Sequence, residues 1–300
     1  MAAPWPFGEY PEGGLEELGP HVTAYYGDAF PVSSSAIVRG TEATLVFDAN
    51  TLRFARALRT AVDERPSPPL TDLVLSHTHG DHTHGAMYFA PSRVWARPYT
   101  QERLAFWAEH DLSPFVEEYR EHYPGAEQEF ASIRIVVPDS TVDEPETIGL
   151  GGGVTVSLYP EGTAHTPGDL WALVEPDGVA LCGDLWFNDS EPYLGNGSIE
   201  GSLRAIEHLR DAEAHVYLPG HGRAGPLAPP GLDMMERFCA WLRASVDAHA
   251  AAGLSRDELL KAVRSEFEGQ KTASDDPIAF SLEIPGFLED GAEQALTPAE

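Results

Sequence analysis

Leu73-Val74-Leu75-Ser76-His77-Thr78-His79-Gly80-Asp81-His82 is the stretch on which the reading of this chain turns. Three apolar residues read as a short buried strand, and the polar run follows them without a spacer. The histidines are therefore expected on a loop at the carboxyl end of a strand, where α/β proteins place their chemistry. His77 and His79 are two apart and share a face at a strand end, while a turn at Gly80 redirects Asp81 and His82 to a neighbouring point, so one loop can serve two ions. With 12 histidines in 300 residues, three at fixed places in one window arise by chance roughly 0.02 times along the chain, before Asp81 is required. A merely polar, exposed loop has no need of three imidazoles. His84 continues the run, but it opens the following helix and reads as a capping or supporting residue rather than a ligand.

Upstream, Val22 to Tyr26, Ser34 to Arg39 and Ala43 to Phe47 read as a β-meander. From Thr51 to Glu64, Leu52, Phe54, Ala55, Leu58 and Val62 recur at helical spacing, and Arg65-Pro66 ends the pattern. Downstream, Arg93 to Ala96, Ile133 to Val137, Val154 to Tyr159, Trp171 to Val174, Val179 to Cys182 and Val216 to Leu218 are expected strands. Ile199 to Arg210 is an expected helix. Three fragments each present one ligand-capable residue just after an expected strand, flanked by Gly or Pro: Ala164-His165-Thr166-Pro167-Gly168, Cys182-Gly183-Asp184 and Pro219-Gly220-His221-Gly222. Singly, each signal is weak, a lone histidine after a strand being more often structural and Asp184 open to a helix-capping role; their joint order and spacing after the histidine cluster are what favour a ligand set.

The expected organisation is a single domain over residues 1–272, with a helical insertion at about 100–125 and C-terminal helices at 231–267. An acidic, irregular tail follows at 273–300. Composition is that of an ordinary globular protein, 42% hydrophobic and 22% charged. A net charge of −29 argues against nucleic acid or an anionic membrane surface as a partner, since either would be repelled. No apolar run approaches the ~18 residues of a membrane helix. The first 14 residues lack a basic and apolar leader pattern, so a cytoplasmic location is expected. Cys182 and Cys239, the two cysteines, are far apart and read as buried thiols rather than a disulfide.

His77-x-His79-x-Asp81-His82, followed in order by His165, Asp184 and His221, resembles the five-motif signature of the metallo-β-lactamase superfamily over roughly residues 20 to 225. The resemblance implies a four-layer αββα sandwich of the α/β class. It further implies that His77, His79 and His165 bind one metal, that Asp81, His82 and His221 bind a second, and that Asp184 bridges them. Asp48, at the end of Leu45-Val46-Phe47, matches the family's early aspartate, a supporting residue. Imidazole and carboxylate donors without a thiolate suit two Zn²⁺ ions, with Mn²⁺ or Fe²⁺ as alternatives.

Two such ions generate a nucleophilic hydroxide at neutral pH, so hydrolysis is the expected reaction and Asp81 the candidate catalytic residue. The cysteine ligand of common secreted metallo-β-lactamases has no counterpart, because Asp184 closes its motif and Cys182 lies inside a strand. The run His77 to Gly85, and the block Gly183 to Asn188 through Gly197-Ser198-Ile199-Glu200-Gly201-Ser202-Leu203, are similar to cyclase or thioesterase members associated with aromatic polyketide pathways. Cleavage of a small-molecule or carrier-bound acyl thioester or ester is therefore expected. A lactonase or β-lactam hydrolase is the alternative, and a non-catalytic metal-binding scaffold the alternative of another class. Trp186, Phe187, Tyr193 and Trp107 are candidate walls of an acyl pocket; their competing reading is core packing. The sequence carries no signal of oligomeric state.

Overall fold

A computed structural model describes residues 14–26, 33–64, 68–90, 92–112, 130–188, 196–225 and 231–273. Period-two patterning sorts the strand side chains into separate apolar layers. The first sheet holds β1 (Gly14–Glu17), β2 (Val22–Tyr26), β3 (Ser35–Arg39), β4 (Thr44–Phe47), β5 (Leu70–Val74), β6 (Arg93–Ala96) and β7 (Ser140–Thr141), in that spatial order. Its first four strands are antiparallel and β4 to β7 run parallel. The second sheet has the order β12-β11-β10-β9-β8, from β8 (Glu146–Gly151), β9 (Val154–Gly162), β10 (Asp169–Glu175), β11 (Val179–Phe187) and β12 (Val216–His221). Only β11 and β12 pair in parallel there.

Along each strand, alternate residues enter different cores. Val22, Ala24, Ala36, Val38, Leu45, Phe47 and Val74 face Leu158, Leu170, Ala172, Val174, Leu181 and Leu218 between the sheets. Ile37, Val46, Leu73 and Leu75 point the other way, against Ala55, Leu58 and Val62 of α1 (Leu52–Glu64). The outer face of the second sheet, with Trp171, Ala180, Cys182 and Tyr217, is covered by α4 (Ile199–Asp211), α5 (Gly231–Ala251) and α6 (Arg256–Ala273). Helix, sheet, sheet, helix is thus the layer order, the αββα sandwich expected from the sequence. No described helix is long and apolar enough to cross a membrane.

Four details differ from the sequence reading. Ile133 to Val137 is not a strand: the Ile133 amide closes a turn on the Phe130 carbonyl, and Ile135 and Val136 pack on the outer core of the first sheet. Their apolar character serves packing, and β6 pairs instead with β7, guided by Asp139, whose amide donates to the Val94 carbonyl. Strands β1 and β8 went unseen, the first polar and the second interrupted by glycines. Strands β11 and β12 run on through Phe187 and His221, so Asp184 lies within a strand rather than after one. Of the helical insertion, α3 (Pro98–Ala108) is described; the rest of it and the tail from 274 onward lie outside the described residues.

Candidate metal centre

The functional side chains gather where parallel strands end. β4 runs into Asp48 and β5 into the His77 loop. Opposite them, the turn between β9 and β10 carries His165, β11 carries Asp184, and β12 ends on His221. The short helix α2 (Gly80–Thr83) then carries Asp81 and His82. Asp184 reaches inward because β11 is irregular: its register against β12 shifts on both sides of Gly183, which adopts a positive φ of 53°. That conformation favours glycine, and it turns the strand out of its regular alternation.

Asp48, fully buried, orients half of the centre. Its carboxylate accepts hydrogen bonds from the Ser76 amide (2.7 Å) and hydroxyl (2.8 Å) and lies 2.8 Å from His82 Nδ1. Ser76 Oγ in turn sits 2.9 Å from His77 Nδ1. Both imidazoles are thereby held by Nδ1 with Nε2 directed at Asp184, at 3.7 Å from Oδ2 for His77 and 3.0 Å from Oδ1 for His82. The His165 turn is folded by Asp169, whose carboxylate accepts from the amides of Ala164, His165 and Thr166. His165 Nε2 lies 3.2 Å from Asp184 Oδ2 and 2.9 Å from His79 Nδ1. His221 Nε2 lies 3.4 Å from Asp184 Oδ2 and 3.3 Å from Asp81 Oδ2. All seven residues singled out in the sequence thus meet around one carboxylate.

The structure brings them into two groups, His77, His79, His165 and Asp184 in one and Asp81, His82 and His221 in the other, with candidate ligand atoms in each within 4.8 Å of one another. Asp184 contacts members of both. Three buried atoms here, His77 Nε2, His82 Nε2 and Asp184 Oδ1, have no hydrogen-bond partner among the described residues. Each such group left unsatisfied costs about 1–3 kcal/mol, and a cation in each of the two groups would satisfy all three. The donor set therefore fits a pair of divalent ions.

Electrostatics separate the groups. Burial, reinforced by the neighbouring imidazoles, pushes His77 well below its ordinary value and His79 down to about 4, leaving both neutral at pH 7. Burial also opposes charge on His82 and His221, but Asp184 and Asp81 overcome it, raising His82 well above the usual range and His221 to about 9. Burial would likewise raise the two carboxylates; facing imidazoles instead hold Asp81 at about 2 and Asp184 well below normal.

His84 stays outside both groups: its ring meets Phe130 edge-on, 5.4 Å between centroids. The candidate pocket residues divide. Trp186, 1% exposed, belongs to the outer core beside Tyr217, so its role is packing, because the irregular strand turns it toward the covering helices. Phe187 belongs to the same core and also stacks on His221, 5.3 Å between ring centres, and thus props a candidate ligand. Trp107 is half-buried on α3 against Phe106 at 5.0 Å. Tyr193 lies outside the described residues. The sequence reading missed Ser76, Asp169 and Asn196, whose side chains act on neighbours that only folding supplies; Asn196 Oδ1 is 2.9 Å from His79 Nε2.

Against known proteins, the model of the metallo-beta-lactamase superfamily matches residues 27–221. YobT of Bacillus subtilis (strain 168), itself described as uncharacterized, is 26% identical over 213 residues, covering 66% of this chain and 86% of that protein. A metallo-beta-lactamase from Pontibacter korlensis is similar in structure, with TM-score 0.58 and 18% identity over 76% of this chain and 99% of its own. The TMB-1 structure gives TM-score 0.59 at 17% identity, covering 77% and 98%. DIM-1 metallo-beta-lactamase gives 0.58 at 17%, covering 77% and 99%. At such identities the likeness is one of fold.

Proposed function

This chain belongs to the metallo-beta-lactamase superfamily, whose members are largely metal-dependent hydrolases, and from that premise we propose that it hydrolyses acyl thioesters, and esters less well, with two zinc ions. The ions supply a water acidified toward neutrality and a Lewis acid for the acyl carbonyl. Zinc is favoured because the donors are imidazole and carboxylate in two compact groups. The thiol of Cys182 takes no part: it is buried in the outer core, with Sγ 3.8 Å from the Ala180 carbonyl.

The observation that carries the thioester preference is the position of Asp81. Its Oδ2 lies 3.3 Å from His221 Nε2 and 3.6 Å from His82 Nε2, within the second ligand group. A carboxylate held at about 2 by those imidazoles is ionised and engaged, and so is a poor general acid. His84 is no better placed, because burial lowers it to about 4 and its ring packs on Phe130. With weak protonation of the leaving group, a thiolate departs far more readily than an alkoxide. The likeness of Gly183 to Asn188 and Gly197 to Leu203 to polyketide cyclases and thioesterases supports a secondary-metabolite acyl group, free or carrier-bound.

Matched acyl thioesters, oxygen esters, lactones and a β-lactam, assayed with the zinc-loaded enzyme and a chelated control, test this. Thioesters should show the highest chelator-sensitive kcat/KM. Faster turnover of the β-lactam or of simple lactones would overturn the thioesterase reading and leave a metal hydrolase of another substrate class.

A further inference from the structure

His79 is oriented differently from its neighbours. His77 and His82 are held at Nδ1, by Ser76 and Asp48, and present Nε2 to the centre. His79 presents Nδ1, 2.9 Å from His165 Nε2, while its Nε2 lies 2.9 Å from Asn196 Oδ1. An amide oxygen only accepts, so Nε2 must carry the hydrogen, and the Nδ1 lone pair is left for the centre.

Asn196 is itself fixed on the other side. It leads into α4 by a turn in which the Ser198 amide donates to the Ala164 carbonyl (2.7 Å), and Ser202 Oγ donates to the same oxygen (3.3 Å). A side chain at Gly197 would collide with that carbonyl, so the backbone there packs directly on the residue preceding His165. Ser198 Oγ caps the helix by accepting from the Gly201 amide at 3.2 Å. The turn therefore grips the His165 loop through its backbone and reaches His79 through Asn196, spanning two of the three imidazoles in the first group. The glycine and serine spacing of Gly197 to Ser202 is accounted for by this grip.

We propose that Asn196 is a positioning residue for the three-imidazole metal site, its amide oxygen fixing His79 as an Nδ1 ligand and, being neutral, holding the affinity of that site below what a carboxylate would give. This rests on the metal centre described above. A carboxylate in the same place adds a charge-assisted hydrogen bond and makes the imidazole a stronger donor, whereas an apolar residue leaves the ring free to turn.

Zinc affinity measured by chelator competition tests it, in the His221→Ala background so that the three-imidazole site is read alone. Asn196→Ala should weaken binding about 10–100-fold, the usual effect of losing such a partner. Asn196→Asp should bind more tightly than the parent, and both variants should keep its metal-free melting temperature, because Asn196 is exposed. Unchanged affinity in Asn196→Ala, or an Asp variant as weak as the Ala variant, overturns the proposal. A wild-type chain that binds less than one zinc overturns the metal centre itself.

Discussion

At the scale of single residues, the centre depends on atoms that never face it. Asp48 adopts φ 61°, a conformation that asparagine tolerates, and its two oxygens hold Ser76 and His82. Asp48→Asn should keep the fold yet lose the charge behind His82, lowering zinc affinity about 10–100-fold, readable as metal per chain after dialysis. Proton competition adds a second prediction. With His82 raised well above its usual range and His221 at about 9, a second zinc must displace a proton from each at pH 7, so affinity at Asp81, His82 and His221 should rise about a hundredfold per pH unit below about pH 9. His79, at about 4, imposes no such demand on the other site above pH 6. Calorimetry in buffers of different ionisation heat should show more proton release with the second ion than with the first. For the metal-free chain the sign reverses: the raised His221 stabilises the fold fully below its ordinary 6.5, and that contribution is lost as pH climbs through about 9.

At the scale of elements, strand irregularity aims the Asp184 carboxylate. β11 departs from its ladder around Gly183, and β12 supplies a space at Gly220 into which Asp184 fits. A methyl group at Gly220 would collide with Asp184 Oδ1 and crowd the Gly183–Asp184 backbone. Gly220→Ala should thus cost about 1–3 kcal/mol by overpacking. It should also displace Asp184 from both ligand groups, leaving the two-sheet fold with less than one tightly held zinc. Far-ultraviolet circular dichroism beside metal analysis separates those outcomes; a variant that retains two zincs would show that Asp184 does not need this seat.

At the scale of the molecule, the candidate ligands come from both sheets. His77, His79, Asp81 and His82 follow β5 of the first, while His165, Asp184 and His221 belong to the second. Metal bound among them cross-links the two halves and stabilises the folded chain by mass action, about 4 kcal/mol when free metal exceeds Kd by about 1,000-fold. Chelation should accordingly lower the melting temperature by several degrees, reversibly on adding zinc. An unchanged melt would mean that the sheets are held without the ions.

What the sequence determined by itself was chemistry and periodicity. Seven residues of ligand type were legible as a set because candidate metal sites concentrate rare side chains at fixed spacing, and the two-sheet pattern because each strand alternates between two cores. The tertiary structure alone decided which atoms meet. Trp186 and Phe187 are adjacent and both join the outer core, because the irregularity at Gly183 breaks the alternation that would have parted them, and only Phe187 also stacks on His221. Asp48 and Ser76 are 28 residues apart, and Asn196 and His79 are 117 apart. Hydrogen bonds of that span leave no local trace. They exist because helices and sheets dock in one register, which is a property of the packed layers and not of any segment read alone.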